Sequence, residues 1–496
     1  MPVTSSGSSI IPKKINTMNN FNKLLTIIFI YNIFLFPQEN ANQLKYRLDS
    51  LLSNQFFRSA LPAVDIYDLT IGESLYKKNE KMLYNPASNM KILTTVSALL
   101  YLEPDYKFYT NLYYSGNIAN NILYGDLYVI GRGDPIFYSS DLDSLVKEIK
   151  DKGIHEINGN IYADISWKDS VYWGNGWMWN DGSSTDAPYL SALNINENSI
   201  QVSAAPTSFG KKADIYLKPE TGYVDVVNKT LTSYSDSYDE YEVTRDWMNR
   251  KNTIIVSGLV SKNTKSDSEY LWEGVNVLNP PMYFMTLFYE NLLTNGIKVD
   301  GIKGIKQTPE NAVQFLNYYH TLDSVIVNTN KPSYNLGAEM LLYALAANDS
   351  GCPANAKNGT ASIKKLISTI GLDPENYSLA DGSGVSRYNL VSSELILSIL
   401  KYLYINKPEI YLKFYNSLPI AGIDGTIKRR MLNTAAQNNV HAKTGSLRGV
   451  SSLSGYVTAK NNHKIAFSIL MENFVGSSTT ARNIQDKICE MLAEYK

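Results

Sequence analysis

The sequence predicts an α+β protein in which a β-rich segment interrupts a domain of mixed helices and strands. Three observations carry that expectation. A helix that is apolar on nearly every face directly follows Pro86. From about residue 106 to 277, short Tyr-, Val- and Ile-rich runs alternate with Gly, Asn and Asp turns. The chain then returns to helices and closes on three alternating strands and an amphipathic helix. At 496 residues the chain is long enough for more than one core.

Taken in order, residues 24–36 read LLTIIFIYNIFLF, preceded by Lys13, Lys14 and Lys23. As a helix this run covers about 20 Å, short of the ~30 Å hydrocarbon core, so it does not predict a permanent span. A basic start, a short apolar stretch and a polar exit predict a signal peptide over 1–38, with Met1 or Met18 as the start and no clear A-x-A cleavage site. The expected mature chain is exported and periplasmic, with at most peripheral membrane contact. AVDIYDLT (63–70) alternates and predicts a strand, with a turn near Gly72. Pro86 opens the apolar helix ASNMKILTTVSALLYL (87–102). The segment 106–277 is expected to be an inserted β-rich domain with few helices, and 39–105 with 278–496 the domain around it. Helices return in MYFMTLFYENLLTNG and LGAEMLLYALAAN. Strands are expected at 440–447, 450–459 and 464–472, and a helix at 478–495, where Ile484, Ile488, Met491 and Leu492 recur at helical spacing.

Composition excludes several function classes. Lys+Arg 46 against Asp+Glu 47 gives a net charge of −1, and loss of 1–38 removes only three lysines, so no polycation is present to grip nucleic acid. Two cysteines, Cys352 and Cys489, cannot build a disulfide-dense scaffold or a zinc cluster, and the sequence leaves open whether they pair. The four histidines are scattered and no H-E-x-x-H occurs, so neither a metal nor a cofactor is expected.

A serine hydroxyl needs a base to act as a nucleophile, and a lysine three residues on, along a helix, can supply it. Ser88 and Lys91 have that spacing, as do five further pairs starting at Ser74, Ser144, Ser208, Ser362 and Ser398. Position separates them. Ser88 stands at a helix N-terminus, where backbone N–H groups favour a developing anion, and Lys91 lies inside a helix with scarcely any polar face. A lysine there either snorkels to water or has its pKa lowered by burial, the condition for a lysine base. Two more elements join the pair: Ser333-Tyr334-Asn335 before a helix, and Lys443-Thr444-Gly445 within the strand VHAKTGSL. Alone, S-x-N is an ordinary helix cap and K-T-G an ordinary strand end; together and in this order they form the S-x-x-K, S-x-N, K-T-G set of the penicilloyl serine transferases.

On these motifs, and on GDLYVIGRGDP (125–135), SALNINENSI (191–200), NKPSYNLGAE (330–339), LADGSGVSRYN (379–389), LPIAGIDGTIKRR (418–430) and AKTGSLRGVSSLSGY (442–456), the sequence resembles the type-4 (DacB-like) penicillin-binding proteins. These are D-alanyl-D-alanine carboxypeptidases/endopeptidases of class C low molecular mass. The resemblance covers nearly the whole mature chain and implies a serine β-lactamase/transpeptidase-like domain, with the large insertion lying between S-x-x-K and S-x-N. One position departs: Tyr334 stands where the family usually has Asp.

The resemblance further implies that Ser88 attacks the carbonyl between two terminal D-alanines while Lys91 takes its proton. The backbone N–H groups of Ser88 and Ser446 would hold the oxyanion. Ser333 would pass a proton to the leaving amine, and Asn335 would hold Lys91 and a substrate amide. Lys443, Thr444 and Gly445 would receive the substrate end, the first two its terminal carboxylate, with Lys443 helping to keep Lys91 neutral. Asp134 would take the ammonium of a diamino acid in the stem peptide, and Arg387 and Arg448 its carboxylate. Expected partners are peptidoglycan stem peptides and, as covalent inhibitors, β-lactams. A β-lactamase of the same fold and a non-catalytic cell-wall binding protein are the alternatives. The aromatic run W173-G-N-G-W177-M-W179 reads as turn packing with a lesser reading as a sugar platform, and His441 reads as structural.

Overall fold

The computed structural model describes Gly7 and residues 41–234, 240–261 and 272–496. Gly7 apart, the expected signal peptide lies outside the described residues. Among them, no helix is long and apolar enough to cross a membrane.

The body that surrounds the insertion is organised on a five-stranded antiparallel sheet in the order His441–Leu447, Val450–Thr458, Lys464–Glu472, Leu61–Asp68, Glu73–Lys78. The three C-terminal strands fall within a residue of their expected bounds. Both faces are covered. Val64, Ile66, Leu453, Phe467 and Ile469 pack with residues of the terminal helices Ala41–Leu52 and Thr479–Glu494. Ala63, Tyr456, Ala466 and Leu470 face a helical cluster built on Met90–Tyr101, Asn335–Ser350 and Ser393–Asn406. Double coverage explains why Lys464–Glu472 is buried at every position but its ends. Each fully buried leucine of these clusters contributes about 1.5–3 kcal/mol by leaving water. This α+β body has the transpeptidase-like layering that the resemblance implied.

The inserted body has its own core, formed by Leu112, Val129, Phe137, Val146, Ile161 and Ile200 among others. It carries four sheets among the described residues. The expected boundary at 277 needs correction. Helix Pro280–Thr294 packs its Tyr283, Phe284 and Phe288 into the inserted core. Strand Val313–Thr321 then pairs antiparallel with the entry strand Lys107–Tyr114. The insertion therefore runs to Thr321: the sequence shows that a helix begins at Pro280 but not which core takes its apolar side. The segment is also less purely β than expected, because Ser139–Asp151 is a helix with Leu142, Leu145, Val146 and Ile149 buried.

Candidate active site

Pro86 leads into a single 3-10 turn, Ala87–Asn89, which continues as the helix Met90–Tyr101. Ser88 and Lys91 are thus one turn apart, and Lys91 Nζ lies 2.9 Å from Ser88 Oγ. The turn is pinned to the edge strand His441–Leu447 and its neighbour. Asn89 Nδ2 donates to the Lys443 carbonyl (3.0 Å), and Ser452 Oγ donates to the Pro86 carbonyl (2.8 Å). Gly445 is required by that approach: a Cβ there would sit 2.7 Å from the Pro86 oxygen and 2.9 Å from Ser88 N.

Lys91 is fully buried, and its amine contacts three oxygens: Ser88 Oγ, Asn335 Oδ1 (2.5 Å) and the Ser383 carbonyl (2.7 Å). The last two can only accept. A neutral amine has two N–H bonds and one lone pair, so satisfying both acceptors aims the lone pair at Ser88 Oγ. Burial pulls the Lys91 pKa down to about 8, against the opposing attraction of Asp381, Glu339 and Asp186. Burial is the largest cause, and Lys91 and the neighbouring Lys443 repel one another. Lys443 is also fully buried and lies well below the ordinary lysine range, through burial first and Lys91 second.

The second motif approaches from the helix Asn335–Ser350. Asn335 Nδ2 donates to the Asp186 carbonyl (2.6 Å), so one amide ties Lys91 to the inserted body. Ser333 has φ +72, a left-handed conformation rare for a side chain with Cβ, and its Oγ accepts from Lys443 Nζ at 2.8 Å. Tyr334 turns the other way. Its hydroxyl lies against the insertion, near Tyr138 and the Glu197 carboxylate to which Tyr138 Oη donates at 3.2 Å. The departure at this position therefore has a structural use. Thr444 Oγ1 donates to Thr426 Oγ1 (2.8 Å) on the facing loop.

These groups open on a cleft of about 860 Å³. Ser88, Ser333, Asn335, Thr444 and Ser446 line it, together with Met178, Asp181 and Asp186 of the insertion. Lys91 and Lys443 sit behind this surface, bonded to Ser88 and Ser333. Arg387 also lines the cleft, and its Nη1 donates to the Arg448 carbonyl (3.3 Å). Arg448 lies in an adjoining depression of about 790 Å³, which shares Arg387 with the cleft.

Asp134 is the exception among the expected site residues. It is only 1% exposed, accepts from Ile136 N (3.2 Å), and lies 2.8 Å from His320 Nδ1. It is spent on its own turn and on His320, and is not available to an ammonium in the cleft. Asp181 and Asp186 are the insertion carboxylates that do line it. His441 stacks on Tyr415 with ring centroids 3.9 Å apart, and Cys352 and Cys489 are unpaired, one exposed and one buried.

Glu339 and Asp381 were not singled out from the sequence. Glu339 is buried one turn after Asn335 and accepts from Gly382 N (3.1 Å) and Ser383 N (2.8 Å), which aims the Ser383 carbonyl at Lys91. Burial, reinforced by Asp381, pushes Glu339 up to about 8. Asp381 accepts from Trp177 Nε1, Gly384 N, Ser386 N and Asn389 Nδ2, fixing the same loop. A lone acid in NLGAEMLLYALAA, four residues after Asn335 and so on its face of the helix, was the available signal.

The D-Ala-D-Ala carboxypeptidase 3 (S13) family matches residues 44–495. The chain belongs to this family. Among relatives, a D-alanyl-D-alanine carboxypeptidase of Actinomadura sp. (strain R39) is 31% identical over 468 residues, 91% of this chain and 85% of that protein. The D-alanyl-D-alanine carboxypeptidase DacB of Haemophilus influenzae is 32% identical over 387 residues, covering 77% of this chain and 79% of that one. The crystal structure of penicillin binding protein 4 (dacB) from the same organism superposes with a TM-score of 0.78 at 28% identity, covering 90% of this chain and 99% of that one. The S13 family is the one the motifs pointed to, and its match spans the inserted body as well as the catalytic one.

Proposed function

We propose that this S13 chain is a serine DD-peptidase that hydrolyses D-alanyl-D-alanine ends and D-alanyl crosslinks of peptidoglycan through an acyl-Ser88 intermediate. The observation that carries the reading is the Lys91 amine, buried, lowered to about 8, and aimed at Ser88 Oγ by two obligate acceptors. Lys91 takes the Ser88 proton as Oγ attacks the penultimate D-alanine carbonyl. The backbone N–H groups of Ser88 and Ser446 face the developing oxyanion. The proton that Lys91 took is relayed through Ser333, held by Lys443, to the leaving amine, which returns Lys91 to its neutral form. Water that gives its proton to Lys91 then releases the acyl group and regenerates Ser88. Thr444, with Lys443 behind it, receives the terminal carboxylate, and Gly445 lets the strand approach the nucleophile.

Arg387 and Arg448 mark the side of the cleft suited to a further carboxylate of the stem peptide. Asp181 and Asp186 replace Asp134 as candidates for its ammonium. The continuation of the cleft past Arg387 into a second depression supports acceptance of a crosslinked peptide as well as a single stem. A β-lactam that mimics the dipeptide acylates the same serine; the Haemophilus influenzae protein has been crystallised in complex with a β-lactam. The site of action is the periplasm, reached through the segment 1–38.

Purified crosslinked muropeptides and a D-alanyl-D-alanine-terminated pentapeptide, digested and weighed by mass spectrometry, test the proposal. Wild type releases D-alanine and separates the crosslinked dimer, and Ser88→Ala does neither. Release by Ser88→Ala at the wild-type rate would overturn the assignment.

A further inference from the structure

The aromatic run at 173–179 divides in two. Trp177 is buried, with its Nε1 bonded to Asp381. Trp179 is the opposite case: 73% exposed, although its neighbours Met178 and Asp181 line the catalytic cleft. Trp179 meets Trp247 edge-on, with centroids 4.5 Å apart, beside the cleft mouth.

From this pair, in which Trp247 is half-buried, a hydrogen bond and a ring stack connect further groups to a second cavity. Arg250 closes the turn that begins at Trp247, its N–H donating to the Trp247 carbonyl at 3.0 Å. Its Nη2 donates to Tyr172 Oη (3.0 Å), and Tyr172, 43% exposed, stacks on Tyr189. Arg250, Tyr172 and Tyr189 then line a separate cavity of about 380 Å³, with Lys168, Asp169 and Ser191 among its polar groups. That volume lies within the ~300–1,000 Å³ range of small-ligand sites.

The row is rigidly mounted. Arg245 is 1% exposed, and its guanidinium is met by carbonyl, amide and phenol oxygens: Nη2 donates to the Gly182 carbonyl (2.7 Å) and Tyr189 Oη (3.3 Å), Nη1 to the Lys251 carbonyl (2.9 Å), and Nε to Asn276. Asn276 Nδ2 in turn donates to the Ser184 (3.0 Å) and Ala187 (2.8 Å) carbonyls. Gly182 lies flat beneath Trp247, where a Cβ would come within 2.4 Å of the ring. The same lattice thus fixes the cleft wall 181–187 and the turn that carries Trp247 and Arg250.

We propose that this row, Trp179–Trp247–Arg250–Tyr172 and the cavity at its end, binds the glycan strand to which a stem peptide is attached while that peptide occupies the catalytic cleft. Exposed aromatic faces stack on the C–H faces of pyranose rings, and the interleaved guanidinium and amide groups suit hydroxyl and N-acetyl oxygens. A ligand with alternating apolar faces and polar edges fits this row better than a purely apolar partner does. The position fits a substrate whose peptide and sugar are covalently joined, so binding energy from the sugar reaches the cleft. This inference rests on the peptidoglycan reading of the cleft.

Two measurements keep the readings separable. First, intrinsic tryptophan fluorescence of the full chain is titrated with a β-1,4-linked N-acetylglucosamine tetramer, which needs no catalysis. Wild type shows a saturable change, Trp179→Ala and Tyr172→Ala weaken it at least about 5-fold, and Trp179→Phe retains most of it. Second, kcat/KM is compared for a free stem peptide and for the same peptide on its disaccharide. Wild type prefers the disaccharide form through KM, and Trp179→Ala removes that preference with the free peptide unaffected. No saccharide binding by wild type, or an equal effect of Trp179→Ala on both substrates, overturns the glycan row. Saccharide binding with no cleavage of either substrate supports the row and would instead defeat the peptidase reading.

Discussion

Asn335 is the point at which the catalytic base and the inserted body are joined by one side chain, so two substitutions there test the base directly. Its Oδ1 lies 2.5 Å from Lys91 Nζ and its Nδ2 lies 2.6 Å from the Asp186 carbonyl. In Asn335→Ala, Lys91 loses one of the two acceptors that aim its lone pair. A hydrogen bond between neutral groups is worth about 0.5–1.5 kcal/mol, so acylation should fall by roughly 2- to 13-fold. Asn335→Asp keeps an acceptor but adds an anion beside the amine. An opposite charge at this range stabilises the ammonium and raises the lysine pKa by about 1–3 units. Because the base works only when neutral, half-maximal acylation should move from near pH 8 to roughly pH 9–11. The loss in Asn335→Asp is therefore recovered at high pH, whereas the loss in Asn335→Ala is not. The assay is the second-order rate of labelling by a fluorescent penicillin between pH 6 and 11, with Tm measured alongside. An Asn335→Asp profile that overlays the wild type, or moves toward acid, refutes the role of Lys91 as base.

Three further outcomes follow from the same geometry. Glu339→Gln keeps an acceptor for Gly382 N and Ser383 N but removes a carboxylate that is ionised only above about pH 8 and there favours the Lys91 ammonium, so the midpoint of the acylation profile should shift to lower pH by less than about one unit. A shift to higher pH in the same labelling assay would contradict this. Gly384→Ala places a Cβ 1.9 Å from the Ala87 oxygen at φ +86, displacing the turn that carries Ser88, and should slow acylation on the order of 100-fold with a lower Tm; wild-type acylation would show that the turn yields freely. Asp134→Asn should leave KM for a stem peptide within about two-fold and lower Tm by a few degrees, because its partners are His320 and its own turn. A large rise in KM with unchanged Tm would return Asp134 to the cleft.

The three motifs were legible because each is local: a spacing on a helix, a pair before a helix, a triplet in a strand. The C-terminal strands were legible from alternation and from the turn at Asn461–Asn462, where Asn462 is left-handed. What the sequence hid was tertiary. Pro280–Thr294 announces itself as a helix, but only packing shows that Phe284 and Phe288 belong to the inserted core. Asp134 looked like a cleft residue because G-D-P reads as an exposed turn, yet the strand Val313–Thr321 brings His320 onto it from 186 residues away. Helix Ser139–Asp151 was legible in Leu142, Leu145, Val146 and Ile149, a 3–4 spacing overshadowed by the strand-like texture around it. Glu339 carried a signal in its isolation; its role needed the 382–384 loop, which no local pattern places beside it.

The central claim is that Ser88, activated by Lys91, is the nucleophile. Intact-protein mass spectrometry after incubation with benzylpenicillin, followed by peptide mapping, tests it most directly. Wild type should gain a single penicilloyl group on Ser88, and Ser88→Ala should gain none while keeping the wild-type Tm. A penicilloyl group on another residue, or an equal mass gain in Ser88→Ala, would contradict the account.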